Sequence, residues 1–227
     1  NQAVSRKLRY KWLNRLAKDK HTSLFLRHYQ PLRSSSLACK EIEFRLKTAA
    51  DKAELYEKIQ QRWMSSYQLP RACLPMVNHW QKAGFMTQEL IWTRMLLAVN
   101  SNKLPLAKKL YKKLKYKNQS AGQLLLKIAK APDSLDRVNF RLPLTVKAKD
   151  IIAIGLHKLA WKNPNQAISI YQYLENQFQL TEKFAKVDRA IGLSLAINKD
   201  PKAPLWLEGL PAIADDSVDQ WRLATAI

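Results

Sequence analysis

Few side chains in this sequence could do chemistry beyond packing. Its two cysteines, Cys39 and Cys73, stand 34 positions apart. That separation is about one helical-hairpin repeat. It allows a disulfide tying successive hairpins, which needs an oxidising compartment. It equally allows two buried thiols, as in many cytosolic proteins. Two thiols alone cannot build a zinc site, which takes four ligands. His21, His28, His79 and His157 have no His, Cys or carboxylate at metal-ligand spacing, so each reads as a solvated or locally bonded imidazole. There is no Gly-rich phosphate loop and no Gly-x-Ser-x-Gly elbow, and neither cofactor nor metal is expected. Asp215, Asp216 and Asp219 cluster where a helix should begin, so they read as charges offsetting its dipole rather than as a catalytic pair. Glu41 and Glu43, two apart on a helix, point to different faces. No catalytic residue is expected.

What remains is positive charge. The formal net charge is +21, and it is unevenly placed. Residues 1–130 hold 27 basic and 7 acidic side chains, against 12 and 11 in 131–227. A field of that sign in one part of a chain suits a polyanionic partner. The densest run is Lys103, Lys108, Lys109, Lys112, Lys113, Lys115 and Lys117, interleaved with Leu106, Leu110, Tyr111, Leu114 and Tyr116. On one continuous helix Lys108, Lys112 and Lys115 would share a side, with Lys109 and Lys113 beside them and the apolar stripe turned inward. The seven tryptophans, at 12, 63, 80, 92, 161, 206 and 221, mostly fall on apolar stripes and read as core.

The elements that must position these groups are helices. Apolar residues recur at three- and four-residue steps, as in Leu8, Trp12, Leu13 and Leu16, in Leu55, Ile59 and Trp63, in Leu104, Ala107, Tyr111 and Leu114, and in Ala167, Ile170, Leu174 and Phe178. No alternation of period two is sustained, and glycine is scarce at 5 of 227. Asp51 with Glu54 resembles a capping box. Asn163-Pro164 and Asp200-Pro201 place a cap before a first-turn proline, and Thr87, Thr145 and Thr181 are further caps. The spacing predicts helices over roughly 2–18, 22–29, 35–49, 52–67, 71–83, 88–101, 104–116, 119–130, 145–161, 165–178, 182–197, 203–208 and 216–226. Ala153-Ile154-Gly155-Leu156 returns as Ala190-Ile191-Gly192-Leu193. A period of about 35 residues is that of stacked helical hairpins, and each internal glycine should let a neighbouring helix come close. The expected fold is therefore all-α, a right-handed superhelix of about 12–13 helices of the tetratricopeptide-like solenoid kind. Residues 1–227 read as one superhelical segment of a longer protein. It divides into a basic half (1–130), an irregular link (131–143) and a near-neutral half (144–227). No run approaches the ~18 apolar residues of a membrane span.

The order of motifs is more specific than the pattern. Leu37-Ala38-Cys39-Lys40-Glu41 is followed by a helix carrying Ile59-Gln60-Gln61-Arg62-Trp63. Then come Leu69-Pro70-Arg71-Ala72-Cys73-Leu74-Pro75-Met76, Trp80 and Gly84, and next Trp92-Thr93-Arg94-Met95-Leu96-Leu97-Ala98. The tail carries Trp206-Leu207-Glu208-Gly209-Leu210-Pro211 and Asp219-Gln220-Trp221-Arg222. This succession resembles the superhelical region of the soluble lytic murein transglycosylases of Gram-negative bacteria. The resemblance implies a periplasmic parent enzyme that cleaves between N-acetylmuramic acid and N-acetylglucosamine of peptidoglycan and leaves a 1,6-anhydro end. It implies a Cys39–Cys73 disulfide and a ring of helices docking glycan strands. The family's catalytic Glu-Ser and Gly-Leu-Met-Gln motifs occur nowhere in this sequence, so no catalytic residue carries over. The segment is expected to be an inactive scaffold for a C-terminal catalytic domain of the same chain. Peptidoglycan glycan strands are the expected partner, contacted by Lys108, Lys109, Lys112, Lys113 and Lys115, with no nucleic acid. Two other classes fit the composition. A helical-repeat nucleic-acid binder suits the pI of about 10.1, but no code-like polar pair recurs. A tetratricopeptide interaction scaffold would carry a Trp-x-x-Leu-Gly-x-x-Tyr signature, which is absent.

Overall fold

Several helix ends are set by short polar side chains and by tight carbonyl captures. Ser34, Thr87 and Thr145 accept hydrogen bonds from the amides of Leu37, Leu90 and Ala148. Asn163 Oδ1 accepts from the Gln166 amide ahead of Pro164. Asp51 accepts from the Ala53 amide two residues on, but Glu54 pairs with Lys58 instead of closing the box. Four helices end in the same wrap, in which the third residue past the helix donates to the carbonyl five positions back. These bonds are His21 to Leu16, Phe85 to Trp80, Lys103 to Ala98 and Asp200 to Leu195. The residue before each donor has positive φ, at Lys20, Gly84, Asn102 and Lys199. Gly84 and Asn102 are the residue types such ends favour, and lysine takes the position at the other two, which is how a chain so poor in glycine still terminates its helices.

The computed structural model describes residues 2–31, 34–140, 144–178, 184–210, 220 and 224. Among them are twelve α-helices, two 3-10 helices and no strand. The helices are α1 (Gln2–Lys18), α2 (Thr22–His28), α3 (Ser35–Thr48), α4 (Ala53–Trp63), α5 (Leu74–Lys82), α6 (Gln88–Asn100), α7 (Leu104–Tyr111), α8 (Tyr116–Lys130), α9 (Val146–Lys162), α10 (Pro164–Phe178), α11 (Ala185–Ile197) and α12 (Ala203–Glu208). The 3-10 helices are Arg71–Cys73 and Pro132–Arg137, the second inside the segment read as irregular. The expected Thr181 cap, the aspartates at 215, 216 and 219, Trp221 and, Gln220 and Ala224 apart, the helix over 216–226 lie outside the described residues.

Two compact units divide the chain, Asn1–Leu106 and Ala107–Ile227. In the first, α3 is the hub, packed by α1, α2, α4 and α5. Leu13, Leu16, Phe25, Leu37 and Phe44 form a buried cluster there, with Phe25 meeting Phe44 edge-on at 5.2 Å. In the second, α9 is the hub, packed by α8, α10, α11 and the Pro132–Arg137 turn. Its buried residues run from Ile151 and Ile152 to Leu159 and Ala160.

Three expectations are corrected. α4 stops at Trp63 rather than running to 67, because Ser65 and Tyr67 turn their carbonyls toward Arg94. The helix expected over 104–116 ends at Tyr111, where i→i+3 bonds from Lys113 and Leu114 tighten the chain and drop Leu114 into the core. Trp12 and Trp161 are exposed, at 41% and 48%, rather than core. α1 docks through Leu13 and Leu16 instead, which turns Leu8 and Trp12 outward.

Candidate functional site

Cys39 and Cys73 are fully buried and bonded to each other, with Cα atoms 4.9 Å apart. The bond ties the middle of α3 to the turn that opens α5, across the whole of α4. From there a line of contacts runs through the first unit. Trp80 of α5 meets Trp63 of α4 with ring centroids 5.5 Å apart. The Arg94 guanidinium of α6 lies over the Trp63 ring at 4.6 Å. Its Nε donates to the Ser65 carbonyl at 3.1 Å and its Nη2 to the Tyr67 carbonyl at 3.0 Å. Burial pulls the Arg94 guanidinium down to about 10, so it still carries its charge at neutral pH. Lys103 Nζ sits over the Tyr67 ring at 5.2 Å. The loop after α4 is thus held by an arginine fork with no carboxylate. The sequence offered one signal of this, a lone arginine on an apolar helix, without saying what it would hold.

The lysines singled out for ligand contact lie in the second unit. Lys108 and Lys109 close α7, Lys112 and Lys113 lie in the turn after it, and Lys115 precedes α8. All five are exposed, as is Lys117, while Leu106, Ala107, Leu110 and Leu114 are buried. The separation of charged and apolar faces follows the sequence reading, but the single helical stripe does not exist. The lysines gather instead around a helix end, whose carbonyls favour cations. Gln119 Nε2 donates to the Leu114 carbonyl at 3.3 Å and steadies that turn. The turn packs close to α8, since a Cβ on Gly122 would meet Leu114 Cδ1 at 2.7 Å and Tyr111 Cδ2 at 2.9 Å. Tyr116 stands 91% exposed beside the cations. The result is a cationic knuckle with an aromatic ring at its edge, able to meet an anionic or carbohydrate surface.

The rest of the second unit is built to hold helices together. A Cβ on Gly155 of α9 would meet Ile128 Cγ2 at 2.8 Å, and one on Gly192 of α11 would meet Leu207 Cδ2 at 2.7 Å. The repeated glycines therefore mark close helix approaches, as expected. Tyr171 donates its hydroxyl to Asp188 Oδ2 at 2.9 Å, and Trp206 Nε1 donates to the Asp188 carbonyl at 2.9 Å. Burial and the adjoining Asp188 carboxylate push the Tyr171 hydroxyl well above the usual phenolic range. Burial likewise raises the Asp188 carboxyl, against the pull of the Tyr171 bond. Trp206 and Leu207, the start of the tail motif, thus pack α12 onto α11. Burial, and then the neighbouring Lys158 and Lys186, lower His157. His79 Nε2 is 3.3 Å from the Tyr56 hydroxyl, and the His28 ring lies 5.0 Å from that of Trp12. Among the described residues no three His, Cys, Asp or Glu side chains gather as a metal site would require, and no helix is long and apolar enough to cross a membrane.

Solved structures share this architecture. An inactive mutant of lytic transglycosylase Slt from Pseudomonas aeruginosa is similar to 95% of this chain at 29% identity, with a TM-score of 0.84. The 70-kDa soluble lytic transglycosylase of Escherichia coli and a 70-kDa soluble lytic transglycosylase in complex with bulgecin A each match 97% of the chain with a TM-score of 0.67. Both stand at 16% identity, and their likeness is one of fold. The chain spans only 35% of the Pseudomonas protein and 34% of the other two. No family model and no curated protein matches it.

Proposed function

We infer that this chain, a helical segment of the soluble lytic transglycosylase family, holds and guides peptidoglycan glycan strands for a periplasmic parent enzyme. The observation that carries this reading is the likeness to Pseudomonas Slt in fold and in sequence over 95% of the chain. The Cys39–Cys73 bond supports it, because such bonds persist outside reducing compartments. The parent enzyme cleaves the strand to a 1,6-anhydro end with a catalytic domain of its own, and the helical segment supplies surface rather than chemistry. Lys108, Lys109, Lys112, Lys113 and Lys115 contact the strand, whose peptide stems carry free carboxylates. Each exposed ion pair is worth only ~0–1 kcal/mol, so retention depends on many weak contacts that can slide.

The test is co-sedimentation of the oxidised 227-residue chain with purified peptidoglycan across a salt series. Retention should fall steeply between about 50 and 500 mM salt as screening shortens the reach of the lysines. Replacing Lys108, Lys112 and Lys115 by glutamate should weaken it severalfold. The chain alone should release no anhydro sugars. Salt-independent retention, or release of product, would contradict this reading.

A further inference from the structure

The first unit contains a cleft of about 330 Å³ between the end of α1 and the exposed face of α3. Its floor is apolar, made by Ala17, Leu37, Phe44 and Ala72. Its rim is cationic: Lys18 and Lys20 stand on the α1 side, and Lys40 and Lys47 on α3. One carboxylate, Glu43, lines it and is bonded to Lys40 at 2.7 Å, with both side chains largely buried. The remaining rim is positive. Lys20 is held at positive φ in the wrap that ends α1, so the backbone, not only a flexible side chain, places this charge at the mouth. Ala72 brings the cleft against the disulfide, which fixes the turn at Cys73 to α3.

Size and spacing select the ligand. The volume is at the low end for a binding pocket and suits a few small residues rather than a helix. Lys40 and Lys47 are seven residues apart on one helix, about 10 Å along its axis. That span exceeds a single phosphate and matches two separate anionic groups on one small molecule. The fork-shaped arginines that favour phosphate esters are missing from its lining, and its one ring, Phe44, already carries the Lys47 ammonium 5.5 Å from its centroid. We infer that this cleft binds a short acidic peptide, with two or more carboxylates on a body of small apolar residues. Its carboxylates meet Lys18, Lys20 and Lys47 and compete with Glu43 for Lys40, while its methyl groups lie on the alanine and leucine floor. The source of such a peptide rests on the function proposed above: it is the peptide stem of the strand, held apart from the sugars.

Calorimetric titration of the oxidised chain with the stem tripeptide alanyl-γ-glutamyl-diaminopimelate tests this. The same peptide with amidated carboxylates, inorganic phosphate and peptide-free glycan strands serve as the other probes. Binding by the tripeptide, at least tenfold weaker for the amidated form and for phosphate, is expected. K20Q/K47Q should weaken it at least tenfold. E43Q should tighten it about threefold, an effect of opposite sign that loss of folding cannot imitate. K82Q, an exposed lysine of the same unit away from the cleft, should leave it unchanged. No tripeptide binding, equal binding of the amidated form or of phosphate, or indifference to the Lys20, Lys47 and Glu43 changes would overturn the inference. Peptide-free strands that bind while the tripeptide does not would remove this cleft and leave the glycan-guiding function standing. Tripeptide binding without retention on intact peptidoglycan would keep this cleft and remove the guiding function.

Discussion

A guanidinium taken out of water with no carboxylate beside it has to be satisfied in some other way. At Arg94 two carbonyl oxygens and an indole face do this. The planar fork matters, since Nε and Nη2 reach two carbonyls of one loop, and an ammonium on a lysine stem cannot reproduce that geometry. Arg94→Lys should therefore cost about 1–2 kcal/mol, by taking the donor from one of two part-buried carbonyls, and urea unfolding would measure it. His157 gives a pH dependence of definite sign. Its folded pKa is depressed by burial, so below neutrality the unfolded chain takes up a proton that the folded imidazole resists. Stability contributed by the neutral ring is complete above the ordinary histidine range and is lost as pH falls from about 7 toward 5. Melting curves across that range should slope less in a His157→Gln variant; an unchanged slope would show that His157 is not its source. Arg94 was visible in the sequence as an arginine on an apolar stripe, but its partners were not, because Ser65 and Tyr67 are contacted through their backbones and backbone carbonyls leave no mark on residue type.

Helices carry the next level of explanation, and two repeated glycines show how. Gly155 and Gly192 occupy the same place in matching motifs, yet their surroundings differ. A Cβ at Gly155 would strike Ile128 Cγ2, a branch fixed next to its own backbone in a fully buried side chain. A Cβ at Gly192 would strike Leu207 Cδ2, the far end of its side chain. Alanine gains ~1 kcal/mol of helix propensity at either site, against about 1–3 kcal/mol for overpacking where nothing can give. Gly155→Ala should therefore lower stability by up to about 2 kcal/mol, and Gly192→Ala by less, since the end of a leucine side chain yields more readily than a Cγ branch. Thermal melts of the two variants side by side decide it. The α7–α8 turn shows the limit of periodicity. Leucine and lysine alternate there as a helix would have them, but burial of Leu114 and the close pass at Gly122 are better served by a tightened turn. Helical spacing could not reveal that choice, since the same residues satisfy both conformations locally.

For the molecule as a whole, the disulfide is the one covalent constraint among the described residues beyond the backbone. It closes a loop across α4 and should contribute about 4 kcal/mol through the unfolded chain. Reduction, or Cys39→Ser with Cys73→Ser, should destabilise α3, α4 and α5 by that order, with hydrogen exchange rising there and α9 to α11 little changed. Equal loss of protection in both units would contradict that localisation. All-helical class, most helix positions, the caps at Thr87 and Thr145 and the close approach at the repeated glycines were determined by the sequence itself, because they follow from short-range steps of three and four residues and from local capping chemistry. The family resemblance, too, rested on residues such as Cys39, Cys73, Trp80 and Trp206, whose types are distinctive and whose order survives divergence. Tertiary structure alone decided which face of α1 is buried, where α4 and α7 stop, what Arg94 holds, and that Lys18, Lys20, Lys40 and Lys47 rim one cleft. These depend on contacts between residues far apart in the chain, where packing and desolvation outweigh local preference, and no local pattern records them.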